Sequence, residues 1–379
     1  MRIFENTNFD FLGKRKLAYI FSGTLLIIGL LSLLIRGVEL GIDFKGGSEV
    51  ALEFEKPIVV GEVRDFLNEL GLGNVEVKTF GGEKGILVRS ELQQIPSDLF
   101  PKVVDKIGSI IKADYPDLKV EIADTTSSSV TYDVSNSEIV GQLVDKLYAA
   151  GFQATKFSQE ESNTEIIVRV GIADWIQENL HEILPDNTFK VLKEDKVGPK
   201  IGKELKQDAV IAVLLALLVI LVYLGFRFKF VFALGAVAAL FHDVLITLGV
   251  FSLLYNVIPG LNLDISVNVV AAFLTLVGYS INDTVIVFDR IRENIKIHKT
   301  APLEENMNSA INKTIPRTII TSLTTLIVVG VLLFFGGEVL RGFAFTLFFG
   351  IFIGTYSSVF VASPFVLEYV KRSKKNIQF

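Results

Sequence analysis

Six long apolar stretches, set apart by polar segments, dominate the pattern of the chain: Leu17–Ile35, Ala209–Phe226, Phe230–Leu254, Ile265–Phe288, Thr318–Phe335 and Phe343–Tyr369. Each is long enough to cross a hydrocarbon core of roughly 30 Å as a helix. Between the first and second, over residues 37–208, the pattern changes to short alternating runs. It predicts strand Glu49–Phe54, helix Val60–Leu70, strands Val75–Phe80 and Gly85–Arg89, helix Asp98–Ala113 and strand Lys119–Ala123. The same order then repeats: strand Ser128–Val134, helix Glu138–Ala150, strands Gln153–Phe157 and Glu165–Val170, helix Ala173–Leu184 and strand Thr188–Lys193. Each half reads βαββαβ, the order of a ferredoxin-like unit. Gly81-Gly82 and the polar run Ser158–Asn163 suit hairpin turns. Two arrangements satisfy this pattern. One is a duplication, with halves 48–124 and 128–195 joined by a Thr125–Ser129 linker; the other is a single larger α+β domain sharing one sheet.

Short basic stretches orient the spans. Lys14–Lys16, Arg227-Phe228-Lys229, the Arg290–Lys299 region and Lys371-Arg372 with Lys374-Lys375 fall on one side if six helices alternate. The positive-inside rule makes that side cytoplasmic. The expected plan is a cytoplasmic N-terminus and first span over 1–36, an exported α+β domain over 37–208, five further spans over 209–370 and a basic cytoplasmic tail over 371–379. The first apolar stretch ends in Leu33-Leu34-Ile35-Arg36 with no small-residue cleavage pattern, so it reads as a span and not as a signal peptide.

Composition agrees: half the residues are hydrophobic, above the usage of soluble domains. A net charge of −5 gives no basic footprint for nucleic acid. The absence of cysteine removes disulfides, thiol catalysis and Cys-based metal sites. His181, His242 and His298 are too scattered to form a zinc site, so no metal is expected.

The chemistry sits inside the spans. Asp283 lies six residues before Asp289-Arg290, or roughly 9 Å inside that boundary at the helical rise. An ionised carboxylate in hydrocarbon costs at least ~2.5 kcal/mol, so such residues usually face a cavity and mark an ion path. The alternative is a side chain reaching back to the headgroups. In the third span His242-Asp243 stands near mid-bilayer, and Asp243 shares a face with Gly235, Ala239 and Thr247, small residues that admit a close neighbour. Asp243 reads either as a second titratable site or as a carboxylate satisfied by hydroxyls on an adjacent helix. His242 reads either as a proton relay or as a neutral ring bonded to a carbonyl. The fifth helix is expected to begin at Pro316. Its Arg317, Thr321 and Thr324 would form a polar stripe, widened by Thr318, Ser322 and Thr325, along a wet crevice. Arg317 then either tunes Asp283 through its charge or snorkels to headgroups. In the sixth span Gly350, Gly354, Ser358 and Ala362 form a ridge at four-residue spacing, which is read as packing.

The run Gly278-Tyr279-Ser280-Ile281-Asn282-Asp283-Thr284-Val285-Ile286-Val287-Phe288-Asp289-Arg290 resembles the signature of the SecF family, membrane subunits of the bacterial Sec export machinery within the resistance-nodulation-division group. Other segments fall in the family's order. They are Gly41-Ile42-Asp43-Phe44-Lys45-Gly46-Gly47, Val197-Gly198-Pro199-Lys200-Ile201-Gly202, His242-Asp243-Val244, Arg317–Ser322, Gly336–Gly342, Gly354–Ser358 and Ala362-Ser363-Pro364. The stretch between Leu92 and Lys196 is longer than the family's usual exported domain. The resemblance implies a bacterial inner-membrane protein that partners SecD, the SecYEG channel and a translocating preprotein, with protons as coupling ion and no bound cofactor. On this reading Asp283 carries the proton, with Arg317, Asn282, Asp243 and His242 around it. The runner-up is a half-transporter of the same group that exports a lipid or small molecule. An enzyme is not expected, since Asp283 lacks a recognisable catalytic partner motif. Asp43, Gly46 and Gly47 serve either a hinge or a plain structural turn.

Overall fold

The computed structural model describes residues 8–113, 115–126, 128–255, 257–258, 261 and 263–373. Lys374 and Lys375 of the expected basic tail lie outside the described residues. The chain forms two compact units, one built from residues up to Gly41 together with Leu205 onward, the other from Ile42–Glu204. Among the described residues six helices are long and apolar enough to cross a membrane, which makes this a multi-pass membrane protein.

After the first span, α1 (Arg15–Ile35), the α+β unit runs α2 (Ile42–Lys45), β1 (Gly47–Phe54), α3 (Val60–Glu69), β2 (Val75–Thr79), β3 (Gly85–Ser90), α4 (Phe100–Lys112) and β4 (Glu121–Thr125). It continues with β5 (Ser129–Asp133), α5 (Val140–Ala149), β6 (Ala154–Lys156), β7 (Glu165–Arg169), α6 (Ile172–Ile183) and β8 (Phe189–Val197). Two antiparallel four-stranded sheets result, ordered β2-β3-β1-β8 and β4-β5-β7-β6.

This strand order fits the duplicated α+β reading in its two four-stranded sheets, and corrects both the single shared sheet and the division into halves 48–124 and 128–195. There are two sheets and not one, yet neither expected half, 48–124 or 128–195, keeps its own last strand. β4 joins the second sheet and β8 joins the first, so the halves exchange their fourth strands. The physical cause lies in the connections. Thr125–Ser129 is not a linker but the hairpin between β4 and β5: the Thr126 amide donates to the Ser129 carbonyl at 2.8 Å, and the Ser129 amide donates to the Thr126 hydroxyl at 3.0 Å. A tight turn makes its flanking strands antiparallel neighbours at little entropic cost. One hydrophobic core spans the exchange, taking in Val50, Leu52 and Phe54 of β1, Val103, Ile107 and Ile111 of α4, Tyr132 of β5 and Trp175 and Leu180 of α6.

The exchange also pairs the first and last strands of the unit, Gly47 opposite Val197. Gly46 and Gly47 adopt φ of +77° and +119°, a region open to glycine at no steric cost. A Cβ on Gly47 would stand 2.3 Å from the Ser90 carbonyl oxygen, and one on Gly202 would stand 3.2 Å from the carbonyl oxygens of Asp43 and Phe44. The segments Asp43–Gly47 and Val197–Gly202 therefore close on each other backbone to backbone, as a packed turn.

The helical unit adds α7 (Pro199–Arg227), α8 (Phe230–Leu254), α9 (Val267–Ile297), α10 (Leu303–Phe335), α11 (Glu338–Ser357), a π-helical turn over Ser358–Ala362, and α12 (Ser363–Ser373). α11 packs against α8, α9 and α10. α1 meets α8 where a Cβ on Gly249 would lie 2.6 Å from the Gly29 Cα, and the Ser32 and Ser252 hydroxyls bond at 2.8 Å. α7 turns Leu214, Leu215, Leu218 and Val222 outward, an apolar surface suited to lipid.

The fifth span corrects the expected start at Pro316. α10 begins at Leu303 and carries Pro316 in its interior. In its polar first half, Met307, Ala310 and Ile311 pack with Leu12 in the core of the helical unit. The side chains of Asn308 and Asn312 accept from the backbone amides of Phe11 and Phe9, both at 2.9 Å. These tertiary contacts hold a helix that proline, lacking an N–H, does not favour on its own.

Candidate functional site in the helical unit

Helix periodicity puts Gly235, Ala239, Asp243 and Thr247 on one buried face of α8. Asp243 is 1% exposed and surrounded by donors. His242 Nδ1 lies 2.9 Å from its Oδ1. Ser280 of α9 and Ser357 of α11 donate to its Oδ2 at 2.7 and 2.8 Å. The Thr247 hydroxyl donates to the Asp243 carbonyl at 2.8 Å. Three helices thus converge on one carboxylate, each supplying polar atoms that hydrocarbon would otherwise leave unmet. His242, also buried, faces the Tyr356 ring at 6.4 Å, and its Nε2 has no hydrogen-bond partner among the described residues.

Asp283 sits one turn along α9 from Ser280 and is likewise 1% exposed, but its surroundings differ. Its Oδ2 accepts a single bond from Ser322 of α10 at 3.2 Å, and its Oδ1 has no partner among the described residues. The Thr318 hydroxyl, also buried, is unpartnered as well. The Thr355 hydroxyl of α11 lies 2.8 Å from both Ser322 Oγ and the Ile351 carbonyl, so its one proton serves only one of them.

Arg317 is exposed, and among the described residues no ion pair joins it to Asp283. The expected stripe divides accordingly. Thr321 and Thr324 bond carbonyls of their own helix, Arg317 and Ile320, at 2.9 Å, while Thr318 and Ser322 turn inward. The cause is helical phase: Thr318 and Ser322 are four apart, one residue out of step with Arg317 and Thr321. Asn282 and Gly278 are exposed. Tyr279 donates toward the Thr321 carbonyl and Thr325 hydroxyl at 3.2 and 3.1 Å, and Thr284 donates to the Ser280 carbonyl at 3.3 Å.

The ridge read as packing is mixed. A Cβ on Gly350 would meet the Leu276 side chain at 2.3 Å, a pure packing contact. One on Gly354 would stand 3.0 Å from Ser280 Oγ and 3.5 Å from Asp243 Oδ2, so this glycine makes room for the polar centre. Ser358 and Ala362 are buried in the π-helical turn, where the four-residue spacing breaks. Sequence reading missed Ser357 and the bond from Ser280 to Asp243. The signal was the hydroxyl run Thr355-Tyr356-Ser357-Ser358 within an apolar segment.

Two family profiles match the chain: protein export membrane protein SecD/SecF, C-terminal, over residues 176–372, and the SecD/SecF GG motif over residues 31–58. The protein translocase subunit SecF of Rhodothermus marinus is 42% identical over 97% of this chain and 95% of its own length. That of Koribacter versatilis is 36% identical over 97% and 93%. Among solved structures, SecDF of Thermus thermophilus, a translocon-associated membrane protein, aligns with a TM-score of 0.69 at 30% identity. It covers 97% of this chain, which spans 39% of that longer one. SecDF in its super-membrane-facing form aligns at 0.57 with 31% identity, over 98% of this chain and 40% of the other. The chain therefore belongs to the SecF family of protein translocase subunits.

Proposed function

We propose that this Sec-export subunit works in the bacterial cytoplasmic membrane, both termini cytoplasmic, beside SecD and the SecYEG channel, and that the proton gradient drives its part in late preprotein translocation through Asp283. The observation that carries the proton reading is the contrast between the two buried carboxylates. Asp243 accepts from Ser280 and Ser357 and lies 2.9 Å from His242 Nδ1; Asp283, as buried, has one weak bond and an open oxygen. A carboxylate left incompletely bonded inside a span is suited to exchange a proton, because neither charge state is locked by its neighbours. Arg317, one turn before Thr321 on the adjoining helix, supplies the charge that tunes it. The SecD partnership draws on the SecDF structures, in which the likeness to this chain covers less than half of a longer chain.

The test is Asp283→Asn, which removes the titratable proton and keeps size. The variant is expected to co-purify with its partner subunit while late-stage export into inverted vesicles falls to the level of uncoupler-treated wild type. Full, uncoupler-sensitive stimulation by the intact variant complex overturns the proton reading.

A further inference from the structure

The two carboxylates are joined through three consecutive residues of α11. Thr355 reaches Ser322, which bonds Asp283. Ser357 bonds Asp243 directly. Between them Tyr356 donates its hydroxyl to the Ala18 carbonyl of α1 at 3.0 Å and lies 3.1 Å from the Ser22 hydroxyl. Each end of this turn has a second choice on its own helix: the Ile351 carbonyl for Thr355 at 2.8 Å, the Gly354 carbonyl for Ser357 at 3.1 Å. A hydroxyl has one proton to give, so each donates either across to a carboxylate site or back to the backbone of α11.

The chain immediately after this turn is not α-helical. Ser358–Ala362 forms a π-helical turn, with the Ser363 hydroxyl donating to the Ser358 carbonyl at 3.1 Å. A π turn accommodates one extra residue, and its loss or migration rotates the flanking helix. Gly354, just before the hydroxyls, leaves no side chain between α11 and Ser280. Thr355–Ser357 thus stands between a glycine contact and a π turn. Of the nearby charged or titratable groups, His242 lies 2.9 Å from Asp243, while Arg317 of α10 is exposed.

We propose that the Thr355–Ser357 turn is a positioning element that links the two buried carboxylates, so that the bond Ser357 makes with Asp243 helps set the state of Asp283. This rests on the reading that Asp283 exchanges the coupling proton. On this proposal Asp243 with His242 is a fixed anchor, and the hydroxyl turn reports movement at one site to the other.

The experiment uses the full chain with its partner subunit in native membranes. A hydrophobic carbodiimide, which modifies protonated carboxyls, is the probe, and mass spectrometry reads its rate of attachment at Asp283. Ser357 does not touch Asp283, so Ser357→Ala is the decisive variant. It is expected to co-purify with the partner and to change the Asp283 labelling rate by about two- to tenfold, the factor that one hydrogen bond represents. Thr355→Val, nearly isosteric, is expected to do the same, and Thr355→Ser, which restores the hydroxyl, to label as wild type. An unchanged Asp283 rate in Ser357→Ala overturns the proposal. So does Thr355→Ser behaving like Thr355→Val, or loss of the complex in Ser357→Ala, either of which assigns the turn to packing. Failure of the proton reading shows separately, in the export assay of Asp283→Asn.

Discussion

Arg89 donates from Nε and Nη2 to one carboxylate oxygen of Glu49, at 2.9 and 2.6 Å, directly across β3 and β1. Lys193 of the exchanged strand β8 holds the other oxygen at 2.9 Å. Both members of the Glu49–Arg89 pair are buried, so removing Arg89 leaves Glu49 with Lys193 as its remaining cationic partner. Because Lys193 still pairs with Glu49, Arg89→Met is expected to destabilise the α+β unit by about 2–3 kcal/mol, less than the loss for a wholly unpaired buried charge, measured by denaturant unfolding of a fragment spanning residues 42–204. A loss below about 1 kcal/mol would place the pair among ordinary surface bridges.

Acid affects that unit through two carboxylates shifted in opposite directions. Burial alone pushes the Glu49 carboxyl up, but the Arg89 and Lys193 charges outweigh it and hold it below its ordinary value. Its contribution is present at neutral pH and is lost as pH falls through its folded value. Asp174 behaves in reverse. Burial, with Glu194 nearby, raises it to about 6, so in the folded state it binds a proton that the unfolded chain releases down to about pH 4. Stability from this group grows as pH falls from about 7 to about 4 and is missing above that window. Asp174→Asn is expected to gain about 2–3 kcal/mol at pH 7 and little at pH 4. Equal effects at both values would exclude the titration.

Arg317 is exposed and, among the described residues, makes no ion pair with Asp283. Arg317→Lys keeps the charge and loses the planar fork, so gradient-driven export is expected to fall only part of the way, and Arg317→Ala further. Export rates of the two variants, normalised to assembled complex, give the ordering; identical losses would make the guanidinium shape the essential property.

Gly350 and Gly47 are expected to fail for different reasons. A larger side chain at Gly350 collides with Leu276 between α11 and α9, so Gly350→Leu should lower the amount of folded protein in membranes while Gly350→Ala, met by a flexible side chain, should be milder. Gly47→Ala meets the fixed Ser90 carbonyl and an unfavourable φ, and is expected to cost at least about 1–3 kcal/mol. Limited proteolysis of the two variants separates a damaged helical unit from a damaged α+β unit.

Topology is open to labelling because the chain has no cysteine. A cysteine at Ser128, in the β4–β5 hairpin, is expected to react with a membrane-impermeant maleimide in intact spheroplasts, and one at Ser373 is not. The reverse result inverts the proposed orientation.

The sequence by itself determined the spans, the order of strands and helices in the α+β unit, and the presence of carboxylates deep in two spans. These are local properties: apolar length and periodicity follow from bilayer thickness and helical or pleated geometry. What only the tertiary structure decided was which elements meet. The exchange of β4 and β8 depends on which sheet edge a hairpin brings near, and a βαββαβ pattern reads the same with or without it. The interior position of Pro316 depends on Asn308, Asn312 and Leu12, whose contacts hold a helix that local propensity would end. The unlike environments of Asp243 and Asp283 were also beyond the sequence, because the rotation of α10 and α11 about their axes chooses which hydroxyls face α8 and α9. That rotation sets Ser357 on Asp243 and Ser322 on Asp283, and leaves Arg317 on the outer face.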